Sequence, residues 1–100
     1  MQTFELETLL SSYGRTKVLT IMLEAGELNI SEITRRSGLS HGSASSHLEF
    51  LARSGILTEK RFNRIRIFRV DPASPLAGAL SRFYADWKDV GGSAESLPFS

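Results

Sequence analysis

Residues 31–70, SEITRRSGLSHGSASSHLEFLARSGILTEKRFNRIRIFRV, constrain this chain more than any other stretch. The first half holds two short runs with apolar residues at helical spacing, parted by Gly38 and Leu39. The second half holds two β-prone runs parted by a short turn. A glycine between two short amphipathic helices makes a tight corner, and an apolar residue just after it locks the pair together. Two strands joined by so short a turn can only pair antiparallel.

The boundaries follow from local chemistry. Ser31 reads as an N-cap, with Glu32 in the first turn where the helix dipole favours negative charge. This third helix runs to about Ser37. Gly38 then ends it in the left-handed conformation that glycine tolerates. Ser40 caps a fourth helix that runs to about Ser54, and Gly55 stops it. Ala44, Leu48 and Leu51 form its buried stripe, with Phe50 and Ala52 off that line toward the hairpin. Ile56 to Arg61 is a strand, Phe62 and Asn63 the turn, and Arg64 to Val70 the return strand. Alternation sets Ile65 and Ile67 on one face and Arg64, Arg66 and Phe68 on the other. It leaves open which face packs on the core.

The flanks are helical. Phe4 to Tyr13 has apolar residues at helical spacing, interrupted by Ser11, Ser12 and Gly14. Arg15 to Ala25 buries Val18, Leu19, Met22 and Leu23 and stops at Gly26. Leu28 to Ile30 is long enough only for a short edge strand. Ser74-Pro75 opens a last helix, Ser74 as N-cap and Pro75 at the first position. Leu76, Leu80, Phe83, Tyr84 and Trp87 fall on one stripe of it. The expected architecture is mainly α (α+β), about five helices with a two-stranded β-hairpin. One domain fills residues 1–90, and residues 91–100, GGSAESLPFS, form a disordered tail.

Charge is unevenly placed. Residues 33–70 carry eight basic and two acidic side chains, whereas both flanks are net acidic. A polyanion meets the middle of the chain, not its ends. The acidic N-terminus does not resemble a secretory signal, and no apolar run is long enough to span a bilayer. A cytoplasmic chain with no membrane partner is the expectation. With no cysteine there is no disulfide, thiolate metal site or thiol nucleophile. His41 and His47, the only histidines, sit six apart on different helix faces and cannot chelate one metal together. Ser43 and His47 stand at i, i+4, but no third group orients the histidine and no oxyanion site is visible. No enzyme, metal site or cofactor is expected.

Helix, turn, helix and basic hairpin together fit double-stranded DNA. The second helix of such a pair enters the major groove N-terminus first. The residues at that end are Ser40, His41, Gly42, Ser43, Ser45 and Ser46. Serines specify bases weakly, and Gly42 lets the helix start come close. No Arg, Asn or Gln sits in the first two turns. Backbone contacts fall to Lys60, Arg61, Asn63, Arg64 and Arg66 of the hairpin, with Arg35 and Arg36 reaching the flanking phosphates. Arg69, at the hairpin base, is expected in a surface salt bridge. Phe4, Leu6, Leu10, Leu76, Leu80, Phe83, Tyr84 and Trp87 exceed what one small core can hold, so a homodimer seam is expected there.

The pattern of a hydrophobic residue, Ser37-Gly38-Leu39-Ser40, a six-residue gap, His47-Leu48, Leu51 and Gly55-Ile56-Leu57 resembles winged helix-turn-helix transcriptional regulators. The type is ArsR/MarR-like, close to small single-domain archaeal regulators. The likeness runs over about residues 5–90 and is strongest over 28–70. It implies a dimeric DNA-binding regulator, in which a histidine at the position of His47 packs beside the recognition helix. The chain departs from the family at Gly42 and Ala44, where larger residues are common, and its lack of cysteine argues against the thiolate metal-sensing branch. Two other readings stay open: a winged-helix protein-interaction module that binds no DNA, and a DNA-binding sensor of a small ligand or metal. The sequence names no effector.

Overall fold

The computed structural model describes residues 5–91. Helix α1 is Leu6–Leu10 and α2 is Tyr13–Ala25. The chain turns between them because Ser12 accepts the Arg15 backbone N–H and caps α2. Tyr13, expected to close the first helix, therefore opens the second. Gly26, at φ 82°, ends α2.

Strand β1, Glu27–Asn29, leads directly into α3, Ile30–Ser37. The cap of α3 is Asn29, whose side chain accepts the Glu32 N–H at 2.8 Å, and not Ser31 as the sequence suggested. Gly38 follows in the left-handed conformation, as expected. Helix α4, His41–Arg53, starts at Ser40, whose hydroxyl accepts the Ser43 N–H. Strands β2, Leu57–Phe62, and β3, Ile65–Val70, form the hairpin, and α5, Pro75–Asp89, closes the fold. Ser74 caps α5 through the Ala77 N–H, with Pro75 in the first turn.

The sheet has three strands, in the order β1-β3-β2, all antiparallel. The short edge strand thus turns the expected two-stranded hairpin into a small sheet, with Leu28 opposite Phe68. That register decides which hairpin face packs inward. Phe68 is fully buried, whereas Ile65 is exposed. Leu57, Glu59 and Arg61 of β2 share the inward side with Val70, Phe68 and Arg66 of β3. Thr58, Lys60 and Phe62 share the outward side with Arg69, Ile67 and Ile65.

The core joins α2 to α4 and closes under the sheet: Val18, Leu19 and Met22, then Ala44, Leu48 and Leu51, then Ile56 and Phe68 are all buried. Each deep methylene is worth about 0.8 kcal/mol of transfer free energy, so truncating Leu48 or Leu51 to alanine costs about 2–5 kcal/mol. Phe50 packs against this core, and the Arg15 guanidinium of α2 lies over its ring, 3.9 Å from the centroid. No helix among the described residues is long and apolar enough to cross a membrane. Phe4 and nearly all of the expected tail lie outside the described residues.

Candidate nucleic-acid interface

The start of α4 is open to solvent. Ser40, His41, Gly42 and Ser46 are exposed, and Ser43 and Ser45 are half-buried. A Cβ built on Gly42 would meet nothing within 4 Å. The fold itself therefore does not require glycine there, which leaves room for an approaching surface as the reason. The unpaired backbone N–H groups of the first turn and the positive end of the helix dipole face outward.

His47 lies one turn further on and points back into the protein. It is half-buried against Gly14 of α2, where an added Cβ would stand 2.8 Å from Nε2. Burial, and then the nearby Arg15 charge, hold its pKa below the ordinary imidazole value. This is the packing role expected of it.

The cations divide into two groups. Arg66 is held inside the molecule, with its side chain only 18% exposed. Its Nε donates to Glu59 at 2.6 Å, Nη2 to Glu59 and Glu49, and Nη1 to the Ser45 hydroxyl at 3.0 Å. Ser45 in turn donates to Glu49 at 3.1 Å. The Arg66 hydrogen bond holds the Glu59 carboxyl below the usual carboxylate range. Arg66, expected among the hairpin contacts, thus ties the hairpin to α4, and Ser45 is its partner. Arg35 and Arg36 both pair with Glu32 on α3. These pairs are exposed and contribute little to stability.

Lys60, Arg61, Asn63 and Arg64 are exposed at the hairpin's outer end. Arg61 stands 3.7 Å from Glu59, a loose contact, and Lys60 and Arg64 have no ion pair among the described residues. Arg69 likewise makes none there, although Glu27 is its register partner on β1. The expected salt bridge is not formed.

On another side of the fold, α1, α2 and α5 enclose an apolar groove of about 610 Å³. Leu6, Leu10, Leu80, Phe83, Tyr84 and Trp87 line it as the sequence suggested. Leu19 and Leu23 of α2, expected on the buried face of that helix, also line it. Leu80 is buried and serves the core as well, and Leu76 is exposed outside the groove. Lys88 donates to Glu24 at 2.5 Å near the end of α5, joining α5 to α2. Among the described residues no cluster of three or more His, Asp or Glu side chains is placed to hold a metal.

The family model for bacterial regulatory proteins of the arsR family matches residues 12–59, from the cap of α2 into β2. Over those residues the chain is similar to that family, and its fold is a winged helix-turn-helix. In that vocabulary α3 and α4 are the helix-turn-helix, α4 is the recognition helix, and the β2–β3 hairpin is the wing.

Solved structures share the fold of this chain. It is similar to reduced HlyU from Vibrio cholerae at 20% identity and TM-score 0.69, covering 88% of this chain and 86% of that one. The homodimeric winged helix-turn-helix DNA-binding domain of a possible ArsR-family regulator from Mycobacterium bovis matches at 21% identity and TM-score 0.64, covering 82% and 73%. TubR from Bacillus thuringiensis, bound to 24 bp of tubC, matches at 16% identity and TM-score 0.66, covering 86% and 98%. A comparison with curated proteins gives no match.

Proposed function

We propose that this protein regulates transcription by binding double-stranded DNA as a homodimer. Each subunit lays the start of α4 in a major groove and its wing on the neighbouring backbone. The observation that carries this reading is the Arg66–Ser45 link. It fixes the unpaired cations of the wing beside the exposed, glycine-containing start of α4. Serines and one histidine face the bases, so affinity comes chiefly from phosphates and shape, and base readout is light.

The homodimer reading rests on the apolar groove. Leu6, Phe83 and Trp87 are 60%, 59% and 45% exposed, a cluster that a lone small domain rarely leaves in water. A two-fold partner using the same surface covers it. The Mycobacterium bovis domain, similar in fold, is homodimeric.

Selection of bound duplexes from a random pool tests the reading, with light scattering for the mass. The expected result is a dimer that enriches two related half-sites about 34 Å apart or a multiple of it. A monomer that enriches no duplex, yet captures a protein partner, would instead favour the interaction-module reading.

A further inference from the structure

The wing tip carries an apolar pair that its DNA-contacting cations do not explain. Phe62 is 65% exposed and Ile65 is 49% exposed. They are cross-strand partners at the last rung of the hairpin, so both side chains project from the same face. Asn63 turns the chain between them in the left-handed conformation, at φ 58°. The other exposed large apolar residues, apart from Tyr13, Leu76 and Val90, line the α1–α2–α5 groove. The tip is thus a second, separate patch. Folding does not call for it, since inward packing of the hairpin is supplied by Leu57 and Phe68.

The surroundings of the pair are cationic. Lys60 lies on the same face, one rung back and opposite Ile67. Arg64 sits in the turn, and Arg61 flanks it from the other face. The nearest acid, Glu59, is occupied by Arg66. An apolar wedge rimmed by positive charge complements a slot with apolar walls and anionic edges. The DNA minor groove is such a slot: deoxyribose faces form its walls and phosphates its rims. Phe and Ile are among the side chains that wedge there.

We infer that Phe62 and Ile65 form a wedge that enters the minor groove, with Lys60, Arg61 and Arg64 gripping the phosphates on its rims. This rests on the DNA-binding reading above. It goes further by dividing the wing's affinity into a salt-dependent part from the cations and a salt-independent part from the wedge.

The test titrates the full chain against a labelled duplex that the protein itself enriches from a random pool, over a range of salt. The variants are Phe62→Ser, Phe62→Leu and Arg64→Ala, with circular dichroism to confirm folding. Phe62→Ser is expected to weaken binding about tenfold at every salt concentration with no change in the salt slope. Phe62→Leu should recover most of that loss, and Arg64→Ala should lower the slope by about one. Netropsin, which fills the minor groove, should abolish the difference between wild type and Phe62→Ser. Equal affinity of wild type and Phe62→Ser, or a Phe62→Ser defect that survives netropsin, overturns the wedge while leaving DNA binding intact. Failure of the wild type to enrich any duplex overturns the DNA-binding reading itself.

Discussion

Arg66 of the wing donates to Ser45 of the recognition helix at 3.0 Å, so one guanidinium spans the two elements that would face DNA. The same side chain grips Glu59 on β2 and Glu49 on α4. It acts as a strut that fixes the angle of the wing.

Removing the strut should loosen the wing without unfolding the domain. Arg66→Ala is expected to cost about 1–2 kcal/mol, because charge-assisted hydrogen bonds are lost at a partly solvated site. Arg66→Lys should restore little, since an ammonium cannot bridge three partners in a plane. Chemical denaturation measures the cost, and hydrogen exchange should show faster opening confined to β2 and β3. An Arg66→Ala protein with unchanged stability and wing protection would contradict the strut.

Glu59 gives the strut a pH dependence. Its folded-state pKa lies below the ordinary carboxylate value. The contribution to stability is therefore complete above the unfolded value near 4.5 and is lost as pH falls through the lower folded value. Acid titration of wild type against Glu59→Gln should show the wild type losing its advantage only in that acidic window. An advantage that persists at the lowest pH would count against it.

His47 acts at higher pH by the same sign. Its folded pKa is below 6.5, so the unfolded chain binds the extra proton first. Stability should be full above about pH 6.5 and fall as pH drops through the folded value. His47→Gln should flatten that part of the profile. The contact with Gly14 adds a coupling test: Gly14→Ala should cost about 1 kcal/mol in the wild type and little once His47 is truncated to alanine.

Gly42 separates folding from binding. With nothing within 4 Å of an added Cβ, Gly42→Ala should be neutral or stabilise the fold by up to about 1 kcal/mol. It should nonetheless weaken binding to an enriched duplex, because the methyl group holds the helix start away from the groove. A raised Tm with undiminished affinity would remove Gly42 from the interface.

The parts of this fold legible in the sequence were those set by local chemistry. Gly38, Ser40 and Ser74-Pro75 each have one good structural use at their positions, and the structure uses them so. The sequence alone does not place the start of α3, because Asn29 and Ser31 are both competent caps and the choice falls to β1, whose pairing with β3 is long-range. The sequence places Arg66 among the backbone contacts because an alternating strand does not say which face is inward. Burial of Phe68 decided that, and carried Arg66 in with it. The sequence puts Phe62 in the turn; the turn begins one residue later, at Asn63, which leaves Phe62 as the last rung of β2. The groove stripe on α5 was legible from its period, but the contribution of α2 was not, since Leu19 and Leu23 look like ordinary core residues.

The central claim is that the exposed wing cations hold a DNA backbone, and the salt dependence of binding tests it most directly. Affinity for an enriched duplex should fall linearly with salt on logarithmic axes, and Arg61→Ala and Arg64→Ala should each lower the slope by about one while weakening binding on every sequence alike. Binding that does not weaken with salt, or a slope unchanged in both variants, would contradict the account.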